Sequence, residues 1–132
     1  MPVVYSIDPS AKLIRTTCSD PLTFEEVIDH FRILSEDPSC VGTLDVLLDV
    51  NEMTTLPGSM QLGAVSTAAG SIRGRAQFGN CAIIATRDAV FGTMRMFEAL
   101  AGRHFRAIRV FRARSEAEQW LAAPSSTDSP EP

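Results

Sequence analysis

The chain has 132 residues, 45% of them apolar, and a formal net charge of −4 at pH 7. That length fits one domain, which buries roughly two thirds of its unfolded surface and so needs neither disulfides nor a structural metal. The acidic balance, with aromatics not interleaved among basic residues, argues against nucleic acid as a partner, and no stretch reaches the roughly 18 uninterrupted apolar residues of a membrane span.

Met1 to Tyr5 lacks the basic start and apolar run of a signal peptide, so a cytoplasmic location is expected. The next signals are strand-like. Val3–Ile7 and Leu13–Thr17 are β-rich runs separated by Asp8-Pro9-Ser10, which predicts a hairpin. Thr23-Phe24-Glu25-Glu26 has the spacing of a capping box, the Thr23 hydroxyl accepting from the Glu26 amide while the Glu26 carboxylate reaches back. A first helix follows, with Phe24, Val27, Ile28, Phe31 and Leu34 on one face and Pro38 marking its end; His30 falls at the boundary between the apolar and solvated faces.

Leu44-Asp45-Val46-Leu47-Leu48-Asp49 alternates too little for a half-exposed strand, which predicts a central parallel strand covered on both faces. Val50 to Pro57 reads as a polar loop, and Ser59 stands where a second helix would be capped. That helix carries Leu62, Val65, Ala68, Ala69 and Ile72 among small residues; Gly63 within it marks either a close approach of another backbone or a curved helix. Ser71 to Asn80 reads as a flexible, basic linker to a second buried strand, Cys81–Thr86.

Arg87-Asp88 opens a third helix with Phe91, Met94, Phe97, Leu100 and Ala101 as its apolar stripe, and Gly102 is its expected stop. Ala107–Phe111 is the last strand. Ser115-Glu116-Ala117-Glu118 reads as a second capping box, starting a short helix that buries Trp120 and Leu121. Residues 1–123 thus form one domain, and the polar tail 124–132 is expected to be disordered. The order ββαβαβαβα predicts an α/β fold, a mostly parallel five-stranded sheet with an antiparallel edge strand and four helices. In such sheets ligands and partners meet the carboxyl ends of the strands, where Thr17–Leu22, Asp49–Ser59 and Thr86–Asp88 gather.

Charge is segregated along the chain: residues 1–66 hold three basic and ten acidic side chains, residues 67–132 nine and six. The nine arginines between Arg73 and Arg114 either form an anion-binding patch or scatter and pair with the acidic half. Cys18, Cys40 and Cys81 are odd in number and widely spaced, so they read as reduced, buried thiols with no metal role. No glycine-rich phosphate loop, Gly-x-Ser-x-Gly elbow or His-Glu-x-x-His occurs. Asp49 and Asp88 come to neighbouring strand ends, but the simpler roles are loop-amide acceptor for Asp49 and helix cap for Asp88. No catalytic residues, cofactor or metal are therefore assigned, and a non-enzymatic role is expected.

Tyr5-Ser6-Ile7-Asp8, Leu22-Thr23-Phe24-Glu25-Glu26, Leu48-Asp49-Val50, Gly92-Thr93-Met94-Arg95-Met96-Phe97-Glu98 and Val110-Phe111-Arg112 with Ala117 and Trp120-Leu121 together resemble the SpoIIAA-like proteins. These bacterial domains are related to the STAS anti-sigma factor antagonists. The resemblance spans residues 3 to about 122 and implies a sheet packed against helices, often in a homodimer. STAS relatives carry a switch serine at the start of the helix after their third strand. Counting from Asp49 without a gap, Gly58 falls on that serine, flanked by Pro57, Ser59 and Met60. The usual phospho-acceptor is missing, and Ser59 reads first as an ordinary N-cap, with phosphorylation of Ser59, Thr54 or Thr55 as the alternative.

Two roles follow. One is a homodimeric regulatory module that presents the second helix and the Asp49–Ser59 loop to a protein partner. The other is a binder of a small amphipathic or anionic, lipid-like ligand, with Met94, Met96 and Phe97 as pocket wall and Arg87 or Arg95 on the ligand's head group. Asp49, Asn51, Thr54, Ser59, Arg87 and Arg95 are the candidate partner- or ligand-binding residues.

Overall fold

The computed structural model describes residues 3–20, 23–53, 59–70 and 76–122. Five strands form one sheet in the order β1-β2-β3-β4-β5: β1 (Val3–Asp8), β2 (Leu13–Ser19), β3 (Gly42–Glu52), β4 (Ala76–Ile84) and β5 (Ala107–Phe111). β1 pairs antiparallel with β2 and every other pair is parallel, as the element order predicts. The helices are α1 (Phe24–Glu36), α2 (Ser59–Gly70), α3 (Asp88–Ala101) and α4 (Arg114–Ala122), with a 3₁₀ turn at Gly102–His104.

Local chemistry closes the chain as it was read in two places. In the hairpin turn, Asp8 Oδ1 accepts from the Ser10 amide at 3.0 Å, the Ala11 amide at 3.1 Å and the Ser10 hydroxyl at 2.8 Å, a side-chain turn that holds the Asp8 carboxyl below its ordinary range. At α1 the capping box is complete: Thr23 Oγ1 accepts from the Glu26 amide at 3.2 Å, and Glu26 Oε1 accepts from the Thr23 amide at 2.8 Å.

β3 lies at the centre of the sheet and is covered on both sides. Leu44 and Val50 are buried beneath α1–α3, and Leu47 is buried beneath α4 with Ala82, Ile84 and Ala117. The two-sided burial read from its composition holds. The larger core layer joins Cys18, Val50, Cys81, Ile83 and Ile108 of the strands to Val90, Met94, Phe97 and Ala101 of α3. None of the three cysteines is in a disulfide and all are buried; burial pushes the Cys18 thiol to about 11 and the Cys81 thiol to about 12, so both remain protonated at neutral pH.

Several expected boundaries move, each for a physical reason. β3 continues through Val50, Asn51 and Glu52, so that part of the expected loop is strand, while 54–58, with Thr54, Thr55 and Gly58, lies outside the described residues. β4 begins at Ala76, so Gln77 to Asn80 are strand and not linker; residues 71–75 lie outside the described residues. Gly79-Asn80, read as the end of that linker, is a bulge within the strand. Leu44 faces Phe78 while Val46 faces Cys81, so β4 holds an extra residue there. Asp45 Oδ1 fills the bulge, accepting from the Asn80 amide at 2.8 Å, and a Cβ on residue 79 would collide with that carboxylate.

Of the two readings of Gly63, the close approach of another backbone does not hold. Gly63 has nothing near a built Cβ, whereas at Gly70 a Cβ would sit 2.5 Å from the His104 ring, so the close approach comes at the end of the helix. Gly102 keeps right-handed geometry (φ −57°) and leads into the 3₁₀ turn instead of stopping α3 in a left-handed turn. α4 is assigned from Arg114, its first turn closed by the Ala117 amide donating to the Ala113 carbonyl at 3.2 Å. Ser115 therefore lies inside the helix, and no Ser115–Glu118 capping box forms. The tail beyond 122 is outside the described residues.

The core layout makes a direct prediction. Ile83 is fully buried in the central layer, so Ile83→Ala should cost about 2–5 kcal/mol, read as a lowered urea midpoint. Leu100→Ala, at a position 42% exposed, should change stability by no more than about 1 kcal/mol.

Candidate functional site

The carboxyl ends of β3 and β4 carry a polar network. Asp49 Oδ1 accepts from the Asn51 amide at 2.9 Å, and its Oδ2 accepts from Arg114 at 2.6 Å. Arg114 also lies 3.6 Å from Glu118, so it ties the start of α4 to the centre of the sheet. Asn51 Oδ1 accepts from the Thr86 amide at 2.9 Å, joining the two strand ends. Arg87 reaches back to the Met53 carbonyl at 3.3 Å. Arg112 donates to Asp88 at 2.5 Å and to the Thr86 carbonyl at 3.2 Å, while its guanidinium stands 4.2 Å from the centre of the Phe91 ring.

Of the six candidate residues, the structure brings Asp49, Asn51 and Arg87 together here. Ser59 begins α2, but its side chain is not described; Thr54 lies outside the described residues. Arg95 stands apart, exposed on α3 and paired with Glu98 at 3.2 Å. Asp49 does accept from a backbone amide, but that amide is Asn51's, within β3, and not in a loop. Asp88 is the first residue of α3, not its cap, and that position belongs to Arg87, which makes no side-chain cap bond. Sequence reasoning missed Arg112 and Arg114. Their signal was available, two arginines just past the last strand, but only the strand order shows that they reach Asp88 and Asp49. Of the pairings expected between basic and acidic halves, Arg114–Asp49 forms, while Arg112–Asp88 and Arg95–Glu98 stay within the second half.

A second feature lies inside. A cavity of about 100 Å³ separates the sheet from the helices, lined by Ile14, Thr16 and Cys18 of β2, Val46 and Leu48 of β3, Val27, His30, Phe31 and Leu34 of α1, Val65 of α2 and Phe97 of α3, among others. Its wall is almost wholly apolar. Of the expected pocket wall, Phe97 borders it, Met94 is buried in the adjoining core, and Met96 is exposed; neither Arg87 nor Arg95 lines it.

His30 borders this cavity. Its ring meets Tyr5 edge-on at 5.3 Å and Phe31 at 5.5 Å between centroids, and burial pushes its pKa down to about 4. The Tyr5 hydroxyl donates to Asp37 at 2.7 Å, tying edge strand β1 to the end of α1. Burial and that carboxylate raise the Tyr5 pKa to about 12.

Comparison with family models, with curated proteins and with solved structures returns no match. The residues themselves carry the functional reading. Among the described residues no group of histidine, cysteine and carboxylate side chains could hold a metal ion, and no helix is long and apolar enough to cross a membrane.

The half-buried, neutral His30 gives a pH prediction. Its folded pKa lies below the ordinary 6.5, so the unfolded chain takes up a proton first. Its contribution is full above pH 6.5 and is lost as pH falls toward 4. Melting temperature measured against pH should therefore fall less steeply across that window for His30→Phe than for the unsubstituted protein.

Proposed function

We propose that this chain is a non-enzymatic, SpoIIAA/STAS-like regulatory or protein-interaction domain that acts as a homodimer. The observation that carries the reading is the surface shared by α2 and α3. Met53 to Ile72 contains no charged residue, and α2 lies wholly within that run. The helices meet where the Ser66 hydroxyl donates to the Leu100 carbonyl at 3.2 Å. Close to that contact Met96 is 45% and Leu100 42% exposed, and Ala64 and Thr67 of α2 also face outward.

A helix pair with exposed apolar side chains, α2 free of charge and α3 carrying the Arg95–Glu98 pair beside Met96, has the apolar centre and charged rim of an interface. The absence of charge on α2 suits a two-fold contact, in which each residue meets the same patch on a second copy and like charges would repel. Gly58 in place of a switch serine supports a partner contact that does not depend on that phosphorylation.

The cavity favours a second reading, the binding of a small ligand. In its amphipathic or anionic form that reading requires a cation at the cavity, and the two arginines offered for it are engaged elsewhere, Arg87 with the Met53 carbonyl and Arg95 with Glu98.

Sedimentation equilibrium tests the first reading. The protein should be a dimer at micromolar concentration, and Met96→Glu, which places a charge at the centre of the surface, should weaken it about tenfold or more while leaving the melting temperature of the monomer nearly unchanged. A protein that stays monomeric, or a dimer indifferent to Met96→Glu, overturns the proposal.

A further inference from the structure

The cavity under α1 has a shape and a wall that specify its guest. Val46 and Leu48 sit on the central strand, facing the helices, where neighbouring Leu44 and Val50 are fully buried; both nevertheless retain accessible surface. Both line the cavity, so the exposed surface in the middle of the sheet belongs to an interior space and not to poor packing at an edge. The space is partly open to solvent. It is of the same order as an engineered apolar cavity of about 150 Å³ that stays dry and takes up benzene.

The lining is aromatic on one side. Phe78 and Phe105 stack at 4.9 Å between centroids, and Phe31 meets Phe78 edge-on at 6.5 Å. Such a wall offers ring faces and ring edges to a further ring, an arrangement worth about 0.5–1.5 kcal/mol per pair beyond the area buried. Among the described residues no charged side chain reaches the lining, and the polar Thr16 and His30 add almost no polar surface. A charged group placed there would lose its hydration without a partner.

We propose that this cavity is a binding site for a small uncharged aromatic molecule of about one ring. The site rests on the interior geometry alone and is independent of the α2–α3 surface. The neutral His30 and protonated Cys18 and Cys81 keep the wall uncharged at neutral pH. The inference departs from an amphipathic or anionic ligand in both charge and size, since none of the described lining residues would hold a charged head group.

Heteronuclear NMR of the full chain, titrated with benzene, benzoate and benzylammonium, tests it. Benzene should give saturable shifts centred on Val46, Cys81, Phe97 and Phe105, with both charged analogues at least about tenfold weaker. Val65→Phe, which fills the space, should abolish the benzene shifts; the milder Val65→Leu should weaken them if the larger substitution unfolds the protein. Met96→Glu should bind benzene like the unsubstituted protein, which separates this site from the dimer surface. The absence of saturable benzene shifts, equal binding of benzoate, or undiminished binding by a folded Val65→Leu and Val65→Phe pair would each overturn the site.

Discussion

The constraint on which the rest of the structure depends is that β3 must be covered on both faces. Leu44 and Val50 require the layer of α1, α2 and α3, and Leu47 requires a helix on the opposite side. One side is supplied by the crossovers that parallel pairing demands anyway, because each return to the same end of the sheet takes a helix across its face. The other is supplied by α4 alone, a short helix whose Ala117, Trp120 and Leu121 close over Leu47, Ala82 and Ile84. The Arg114–Asp49 pair then fixes the start of that helix on the strand it covers. Arg114 is half exposed, so the pair contributes at most about 1 kcal/mol. Its larger effect is placement, because it joins residues 65 apart in sequence at a defined register.

The two carboxylates of β3 share its second face and have separate structural duties. Asp45 fills the bulge opposite Gly79-Asn80, and Asp49 accepts from the Asn51 amide near the carboxyl end of the strand and receives Arg114. Both are committed to the backbone around them. The carboxyl edge, where an open α/β sheet ordinarily meets its ligand, is here occupied by the protein's own ion pairs and amide bonds. That arrangement shifts attention from the edge to the helix layer, where the interior cavity and the outer surface of α2 and α3 both lie.

Much of this fold was legible because its signals are local. The Thr23–Glu26 spacing specifies a capping box and forms one, the Asp8-Pro9-Ser10 stretch specifies a turn, and the weak alternation of Leu44 to Asp49 announces a strand covered twice. What escaped is non-local. Gly79-Asn80 has the composition of a turn, and only its pairing with Asp45 across the sheet makes it a bulge within a strand. Gly102 has the composition of a helix stop, yet the chain continues right-handed into the 3₁₀ turn. Ser115 and Glu118 have capping-box spacing, which would start the helix at Glu116, but it starts two residues sooner, at Arg114. The candidate site was legible in part: Asp49, Asn51 and Arg87 converge, whereas Arg95 does not, because position on α3 decides its neighbours and residue type does not. No sequence pattern marks a cavity, since the residues around it are ordinary core residues drawn from eight separate segments.

The cavity and the outer surface are coupled through α2. This helix has small residues on several sides, and Val65 is its described contact with the interior space while Ala64 and Thr67 face outward. Small side chains let α2 approach α3 closely at Ser66, but they cannot also fill the volume between α2 and the sheet. The composition that leaves an uncharged face for a second copy is thus the composition that leaves room beneath it. An occupant of the cavity would add packing contacts on the inner side of α2 and stabilise the folded state by mass action. It would favour dimerisation only to the extent that it binds the dimer more tightly than the monomer.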